Sequence, residues 1–202
     1  TGLRLTLRRR FLTSWYKLKH QYVLHNASFG RGTTVECRLS IQGPGLVSIG
    51  ADCRLGSDPC GGDFVSIHTH QPEAVVSIGD GVVLRATRFG CHRSIRIDEG
   101  AVVECASIFD SDFHTVDAAG RDDDSQAKNR EVVIGAGSYV GCECICSKGT
   151  RIGRGAVLLP VSVIGTKSIP ENAVAGGNPT MLLRRGGTQP EPGIDRDAGP
   201  RG

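Results

Sequence analysis

The residues of this chain best suited to chemistry are its six histidines and eight cysteines. His114 stands out, because it ends a regular stretch of sequence and is followed by a polar one. An imidazole titrates near neutral pH, so His114 is a candidate general base. Asp112 could orient that imidazole, bind a second reactant or only cap a loop. Weaker candidates precede the regular stretch or interrupt it: His20, His25, His68 and His70.

The cysteines show no spacing typical of a metal site. Cys142, Cys144 and Cys146 are two apart, which is too close for a usual zinc framework, and no C-x-x-C pair occurs. A Cys142 nucleophile would need a histidine spaced to activate it, and none is. We therefore expect no metal, and mostly buried, reduced thiols in a cytoplasmic protein.

The regular stretch is a six-residue repeat. Its first position holds an apolar residue or a thiol, and the residue four places later is small. The first-position series is Ile134, Val140, Cys146, Ile152, Leu158 and Ile164. The small series is Ser138, Cys144, Thr150, Ala156, Ser162 and Ser168. A weaker form of the repeat begins at Ile49 and Leu55 and continues through Ile78, Leu84, Ile97 and Val103.

A period of six matches neither a helix nor an alternating strand. It predicts short strands joined by tight corners and stacked as a solenoid, with both series pointing inward. Three edges of six residues make one coil, so residues three repeats apart, such as Cys142 and Pro160, should stack along one edge. The expected fold is an all-β parallel β-helix.

Three segments depart from the repeat. Residues 1–20 carry six basic residues and no acidic one, although the whole chain has a net charge of only +3. We predict a short N-terminal helix within residues 1–30, which caps the first coil or contacts an anionic membrane surface. The β-helix should span 31–185, with a loop extruded at 112–131 and a disordered tail at 186–202.

Composition narrows the class of protein further. A length of 202 residues is typical of one domain, and the longest apolar run is too short to cross a bilayer. No secretory signal pattern is present at the start of the sequence. Because the excess of basic over acidic residues is confined to residues 1–20, we expect no binding of nucleic acid.

Two motifs within the repeat resemble the left-handed β-helix hexapeptide-repeat acyltransferases. The segment Ile108–His114 resembles the part that holds the catalytic histidine in sugar and polysaccharide O-acetyltransferases. Ile164–Pro170, together with Ala175–Pro179, is similar to the closing motif of that family. Tyr139 and Met181 depart from the family pattern at positions where tryptophan and a basic residue are common.

The resemblance implies transfer of an acetyl group from acetyl-CoA to a hydroxyl of a sugar, polysaccharide precursor or related metabolite. It also implies a homotrimer whose sites lie between subunits, with His114 as the base. The positions matching the family's CoA contacts are Gly141, Cys142, Pro160, Thr166, Lys167 and Arg184.

The acceptor is expected to be a small molecule or glycan, and Arg85 and Arg93 either bind an anionic group of it or are solvated surface charges. Arg85 and Arg93 occupy positions where the resembling enzymes often have Asn or Asp, and a guanidinium suits a carboxylate or phosphate. We expect Arg85 to point outward, near the edge where His114 emerges.

Other functions remain open on the same fold. An N-acetyltransferase acting on an amino sugar would use the same elements, and a non-catalytic structural subunit would keep only the coil. A zinc-dependent carbonic anhydrase is disfavoured, because the separation of His92 and His114 is not a whole number of three-repeat coils.

Overall fold

The computed structural model describes residues 2–58, 62–113 and 128–186. The first element is the helix α1, Gly2–Lys17, which continues as a π-helical segment over Leu18–Val23. The strands that follow pass in turn through three parallel sheets, and each turn of the chain adds one strand to each sheet. The predicted all-β parallel β-helix is confirmed.

The three sheets are made of short strands. The first contains β1 (Ala27–Phe29), β4 (Leu46–Ile49), β7 (Val75–Ile78), β10 (Ser94–Ile97), β13 (Val132–Ile134), β16 (Arg151–Ile152) and β19 (Ser168–Ile169). The second contains β2 (Thr34–Val35), β5 (Arg54–Gly56), β8 (Val83–Arg85), β11 (Val102–Glu104), β14 (Tyr139–Val140), β17 (Val157–Leu158), β20 (Val174–Gly176) and the antiparallel β21 (Met181–Arg184). The third contains β3 (Arg38–Gln42), β6 (Phe64–Thr69), β9 (Arg88–Cys91), β12 (Ser107–Phe109), β15 (Ile145–Cys146) and β18 (Val163–Ile164).

The repeat forms the core as predicted. Every member of the first-position series is at most 3% exposed, including the weaker units that begin at Ile49. The small series is also buried as far as Ser162. Each coil therefore contributes its inward residues to one continuous apolar column, which is how a solenoid buries a core.

The predicted coil of three six-residue repeats holds only in part of the solenoid. Tyr139 pairs with Val157, three repeats later, but Arg151 pairs with Ser168, one position short of that spacing. Because that turn is shorter, Ile169 takes the inward place and Ser168 is exposed, so the prediction for Ser168 was wrong. The solenoid also begins earlier than the predicted residue 31, because β1 pairs with β4 from Ala27 onward.

Two of the three corners contain most of the candidate site residues. The loop corner joins the third sheet to the first and includes residues 43–45, 70–74, 92–93, 110–113, 128–131, 147–150 and 165–167. The cysteine corner joins the second sheet to the third and includes residues 57–58, 62–63, 86–87, 105–106, 141–144 and 159–162. The two corners lie at opposite ends of the third-sheet strands.

The N-terminal helix caps the first coil. The Thr13 hydroxyl accepts a hydrogen bond from the Val35 amide at 2.9 Å and donates one to the Val35 carbonyl at 3.1 Å. His20 is buried within the cap, and this burial lowers its pKa. A stripe of exposed side chains remains on the helical segment: Phe11, Trp15, Leu18 and Tyr22. Contact of this stripe with an anionic membrane stays a prediction.

Within the described ranges, none of the helices is both long and apolar enough to span a membrane. The seven cysteines in these ranges form no disulfide, and five of them are buried. The predicted tail falls almost entirely on residues 187–202, which lie outside the described residues.

Candidate functional site

A buried carboxylate organises the loop corner. Asp110 follows β12 and is fully buried. Its carboxylate accepts backbone N–H hydrogen bonds from His92 at 2.7 Å, Arg93 at 2.6 Å and Ser94 at 2.7 Å. Asp110 therefore fixes the turn of the preceding coil to the start of the predicted loop through charge-assisted hydrogen bonds.

The two ends of the loop are tied to each other. Ser111 and Asn129 form an isolated antiparallel bridge, and the Arg130 amide donates to the Asp110 carbonyl at 2.8 Å. Asp112 forms an ion pair with Lys148 of the next coil. The loop therefore leaves and re-enters the coil at one place. Residues 114–127 lie outside the described residues, and His114 is among them.

Three imidazoles pack against one another beside the point where the segment of His114 begins. The His70 ring lies 4.4 Å from that of His68 and 4.3 Å from that of His92, between ring centroids. Phe113 packs edge-on against His70 and His92 at 5.4 and 5.2 Å. Sequence reasoning missed this group, because a fixed coil of three six-residue repeats would not bring His70 and His92 into register.

Gly90 makes room for this packing. A Cβ at Gly90 would lie 2.7 Å from Phe113 Cζ and 2.8 Å from Phe109 Cδ1. The Phe109 and Phe113 rings contact each other edge-on with centroids 5.3 Å apart. The absence of a side chain at Gly90 thus allows Phe113, the residue before His114, to pack closely on the third sheet.

A groove of about 640 Å³ opens beside the loop ends on the first sheet. Its lining contains three arginines and one glutamate, and the glutamate, Glu131, pairs with Arg151 at 3.0 Å. Arg93 and Thr166, both predicted to bind ligands, lie in this groove. The full lining is Arg93, Ser94, Asn129, Arg130, Glu131, Gly149, Arg151, Thr166 and Ser168. Its surplus of positive charge suits an anionic group.

The positions matched to CoA contacts are divided between the two corners. Gly141, Cys142 and Pro160 lie at the cysteine corner, where the Val161 amide donates to the Cys142 carbonyl at 2.8 Å. Thr166 and Lys167 lie at the loop corner, and Lys167 Nζ donates to the Thr180 carbonyl at 3.4 Å. Arg184 is exposed on β21. Within one chain, the first five of these positions are therefore distributed over the two ends of the third-sheet strands.

Arg85 lies away from the place where the sequence predicted it. It ends a strand of the second sheet, so it lies at the cysteine corner, while residues 110–113 follow a strand of the third sheet. Its guanidinium pairs with Glu104 at 2.8 Å, and Glu104 also accepts a hydrogen bond from the Tyr139 hydroxyl at 2.7 Å. The expectation that Arg85 lies near the edge where His114 emerges was wrong.

Cys142 is a poor nucleophile in this setting. Desolvation, a hydrogen bond with Cys105 and the nearby carboxylates raise the pKa of Cys142 to about 11. Since the thiolate is the reactive form, a thiol protonated at neutral pH has little reactivity. Cys142 forms a group with Asp58 and Cys105, whose potential ligand atoms lie close to its own.

The fold belongs to the left-handed parallel β-helices. The chain is similar to AntD, an N-acyltransferase from Bacillus cereus, in a mutant form with bound dTDP-4-amino-4,6-dideoxyglucose and coenzyme A. That match has 19% identity and a TM-score of 0.65 and covers 85% of this chain and 89% of AntD. AntD with dTDP and 3-hydroxybutyryl-CoA matches at 17% identity and a TM-score of 0.62, covering 85% and 88%. No protein-family model matches the chain.

Proposed function

We propose that this protein transfers an acetyl group from acetyl-CoA to a hydroxyl of an anionic sugar, such as a sugar nucleotide, a uronic acid or a sugar phosphate. The observation that carries this proposal is the cationic groove with Arg93 and Arg130, which opens where the segment containing His114 leaves the coil. The likeness to AntD supports a CoA thioester as the donor.

In the proposed reaction, His114 accepts the proton of the acceptor hydroxyl as its oxygen attacks the thioester carbonyl. Backbone N–H groups near Cys142 hold the negative charge that develops on the carbonyl oxygen. A carbon–oxygen bond forms, the carbon–sulfur bond breaks, and the CoA thiolate leaves. Asp112, paired with Lys148, positions the start of the segment that carries His114.

The proposed site is shared between copies of the chain. Because the groove lies at one corner and Gly141, Cys142 and Pro160 lie at the other, a neighbour would have to present its cysteine corner to the loop corner. A cyclic trimer makes that contact three times with one kind of interface. Light scattering should give about three times the chain mass of 21.4 kDa, and a mass equal to one chain would contradict a shared site.

A second candidate is transfer to an amine of a nucleotide-linked amino sugar. The observation that favours it is the amino sugar bound by the AntD structure. The same base and the same groove would serve, because an amine also loses a proton as it attacks the thioester.

The proposed function is tested by measuring CoA release with acetyl-CoA and a panel of acceptors. We expect turnover with a sugar that carries phosphate or carboxylate and little with its neutral counterpart. Hydroxylamine cleaves an ester product and leaves an amide intact, which separates the two candidates. No CoA release above hydrolysis with any anionic sugar, sugar nucleotide or amino sugar would contradict the proposal.

The Arg93→Gln variant tests whether Arg93 binds the anionic acceptor. Loss of a charge-assisted hydrogen bond of about 1.5–3 kcal/mol should raise the KM of the anionic acceptor by roughly 10–150-fold, with the KM of acetyl-CoA unchanged. Arg96→Gln is the matched control, because Arg96 lies on β10, which begins directly after Arg93, yet it is not part of the groove lining and pairs with Asp98 at 3.1 Å. Equal effects of the two variants would remove Arg93 from the acceptor site.

A further inference from the structure

The cysteine corner gathers three potential metal ligands from three different coils. One ligand atom each from Asp58, Cys105 and Cys142 lies within 4.8 Å of the other two. Asp58 follows β5, Cys105 follows β11 and Cys142 follows β14. The group has no part in the acyl transfer proposed above, which uses only the backbone near Cys142.

Asp58 reaches the two cysteines from a distant coil. The coil of Asp58 is separated from that of Cys142 by two others, and neighbouring strands in a sheet are about 4.8 Å apart. The chain departs from the regular coil after Gly56, and the Asp58 amide donates to the Gly62 carbonyl at 2.8 Å. Asp58 as a whole is only 8% exposed, although it lies beyond the end of its strand.

Small residues let the chain at Gly62 lie close to the coils beneath it. A Cβ at Gly62 would lie 2.3 Å from Ala86 Cβ and 3.3 Å from Cys105 Sγ. Cys105 has a φ of 46°, which is uncommon for a residue with a side chain and fixes the direction of its thiol. Gly62, and Asp58 hydrogen-bonded to it, are therefore held against the corner at the point where the three ligands meet.

We infer that Asp58, Cys105 and Cys142 bind a zinc-type divalent cation, although the spacing of the cysteines along the sequence predicted no metal. Two thiolates and a carboxylate form a donor set that suits Zn²⁺, and three protein ligands leave the fourth tetrahedral position open. Ligand bonds of about 2.0–2.3 Å place the donor atoms roughly 3.3–3.8 Å apart, so the group, whose ligand atoms lie within 4.8 Å of one another, needs to close by no more than about 1.5 Å. The ion displaces the thiol protons and fastens Asp58 to the corner.

The test uses the full chain, stripped of metal and kept reduced, with Co²⁺ as the probe and Zn²⁺ as the competitor. We expect one Co²⁺ per chain, a thiolate-to-cobalt charge-transfer band and loss of that band when Zn²⁺ is added. Zn²⁺ at about 100 times its Kd should raise the Tm by about 5–10 °C. None of these readouts depends on catalysis, so they are independent of the proposed function.

Variants identify the ligands. Asp58→Asn and the single Cys105→Ser and Cys142→Ser variants should each weaken binding by at least about 100-fold, and the double cysteine variant should lose the band. Cys144→Ala is the matched control, because Cys144 points into the core, donates to the Leu159 carbonyl and occupies a position where alanine occurs in the repeat. It should bind like the parent protein.

Three outcomes would overturn the inference. The first is reduced protein that takes up no stoichiometric Co²⁺. The second is Co²⁺ binding that shows no thiolate band and is retained in the double cysteine variant. Such binding would place the ion on imidazoles such as His70 and His92. The third is a chain that binds no metal but readily forms a Cys105–Cys142 disulfide, which would make the pair a redox couple.

Discussion

Replacing His114 with alanine is expected to lower kcat by about 10²–10⁴-fold, because no other group would accept the acceptor proton in the transition state. The KM of acetyl-CoA should stay nearly unchanged, since the proposed CoA contacts come from other residues. Measuring initial rates of CoA release across pH checks this prediction. The residual activity should lose the acidic limb of the kcat/KM profile, which reports ionisation of the base.

Two further histidine variants make the assignment specific. His25→Asn is the control, because His25 is exposed near the N-terminal helix and asparagine tolerates its φ of 52°. His92→Gln examines the stacked imidazoles beside the loop. If His114→Ala keeps about a third of the activity while His92→Gln loses it, the base belongs to the stack.

Replacing Asp110 with alanine is expected to cause the largest loss of stability among single substitutions at the site. Three backbone N–H groups would lose a charged acceptor that now lies 2.6–2.7 Å away. With partial replacement by water, the free energy of unfolding should fall by about 3–5 kcal/mol, which lowers the Tm by roughly 10 °C. Amide hydrogen exchange should rise first at residues 92–94 and in the loop ends.

The matched control for that substitution is Asp98→Ala. Asp98 also follows a strand, β10, but its carboxylate pairs with the half-exposed Arg96, and such surface pairs contribute about 0–1 kcal/mol. Its Tm should change by less than about 3 °C. Similar losses for both variants would mean that Asp110 does not hold the loop corner.

The sequence predicted the inward residues of the solenoid because burial imposes a repeating pattern on residue type. It could not predict how the coils align outside the most regular part. Coil length varies, since the strand partners of Val75 and Arg88 in the preceding coil, Leu46 and Ser66, lie farther back than three repeats. A fixed period therefore does not align His70 with His92, although their rings stack. It also placed Arg85 at the wrong corner.

The sequence also could not predict that Asp58 lies beside the two cysteines, for a related reason. Its contact with Cys105 and Cys142 depends on the path of the chain beyond β5, and no repeating pattern specifies that path. The motif around Ile108–Phe113 was informative in another way, because it marked where the chain leaves the coil. The geometry of that exit depends on Asp110, whose carboxylate binds backbone amides of the preceding coil. Because these contacts are to the backbone, the residue types of the sequence do not indicate them.

The cap on the first coil has a counterpart at the other end of the solenoid, where β21 covers the edge of β20. The Val163 amide donates to the Gly177 carbonyl, and the Thr180 amide donates to the Val163 carbonyl, so the edge of β18 is occupied as well. An uncovered coil would offer a row of amides and carbonyls to the next molecule, and copies could then stack into a fibril of unlimited length. With these edges covered, the last strands of the second and third sheets are not open to such stacking, and the proposed trimer would form through the flanks of the solenoid.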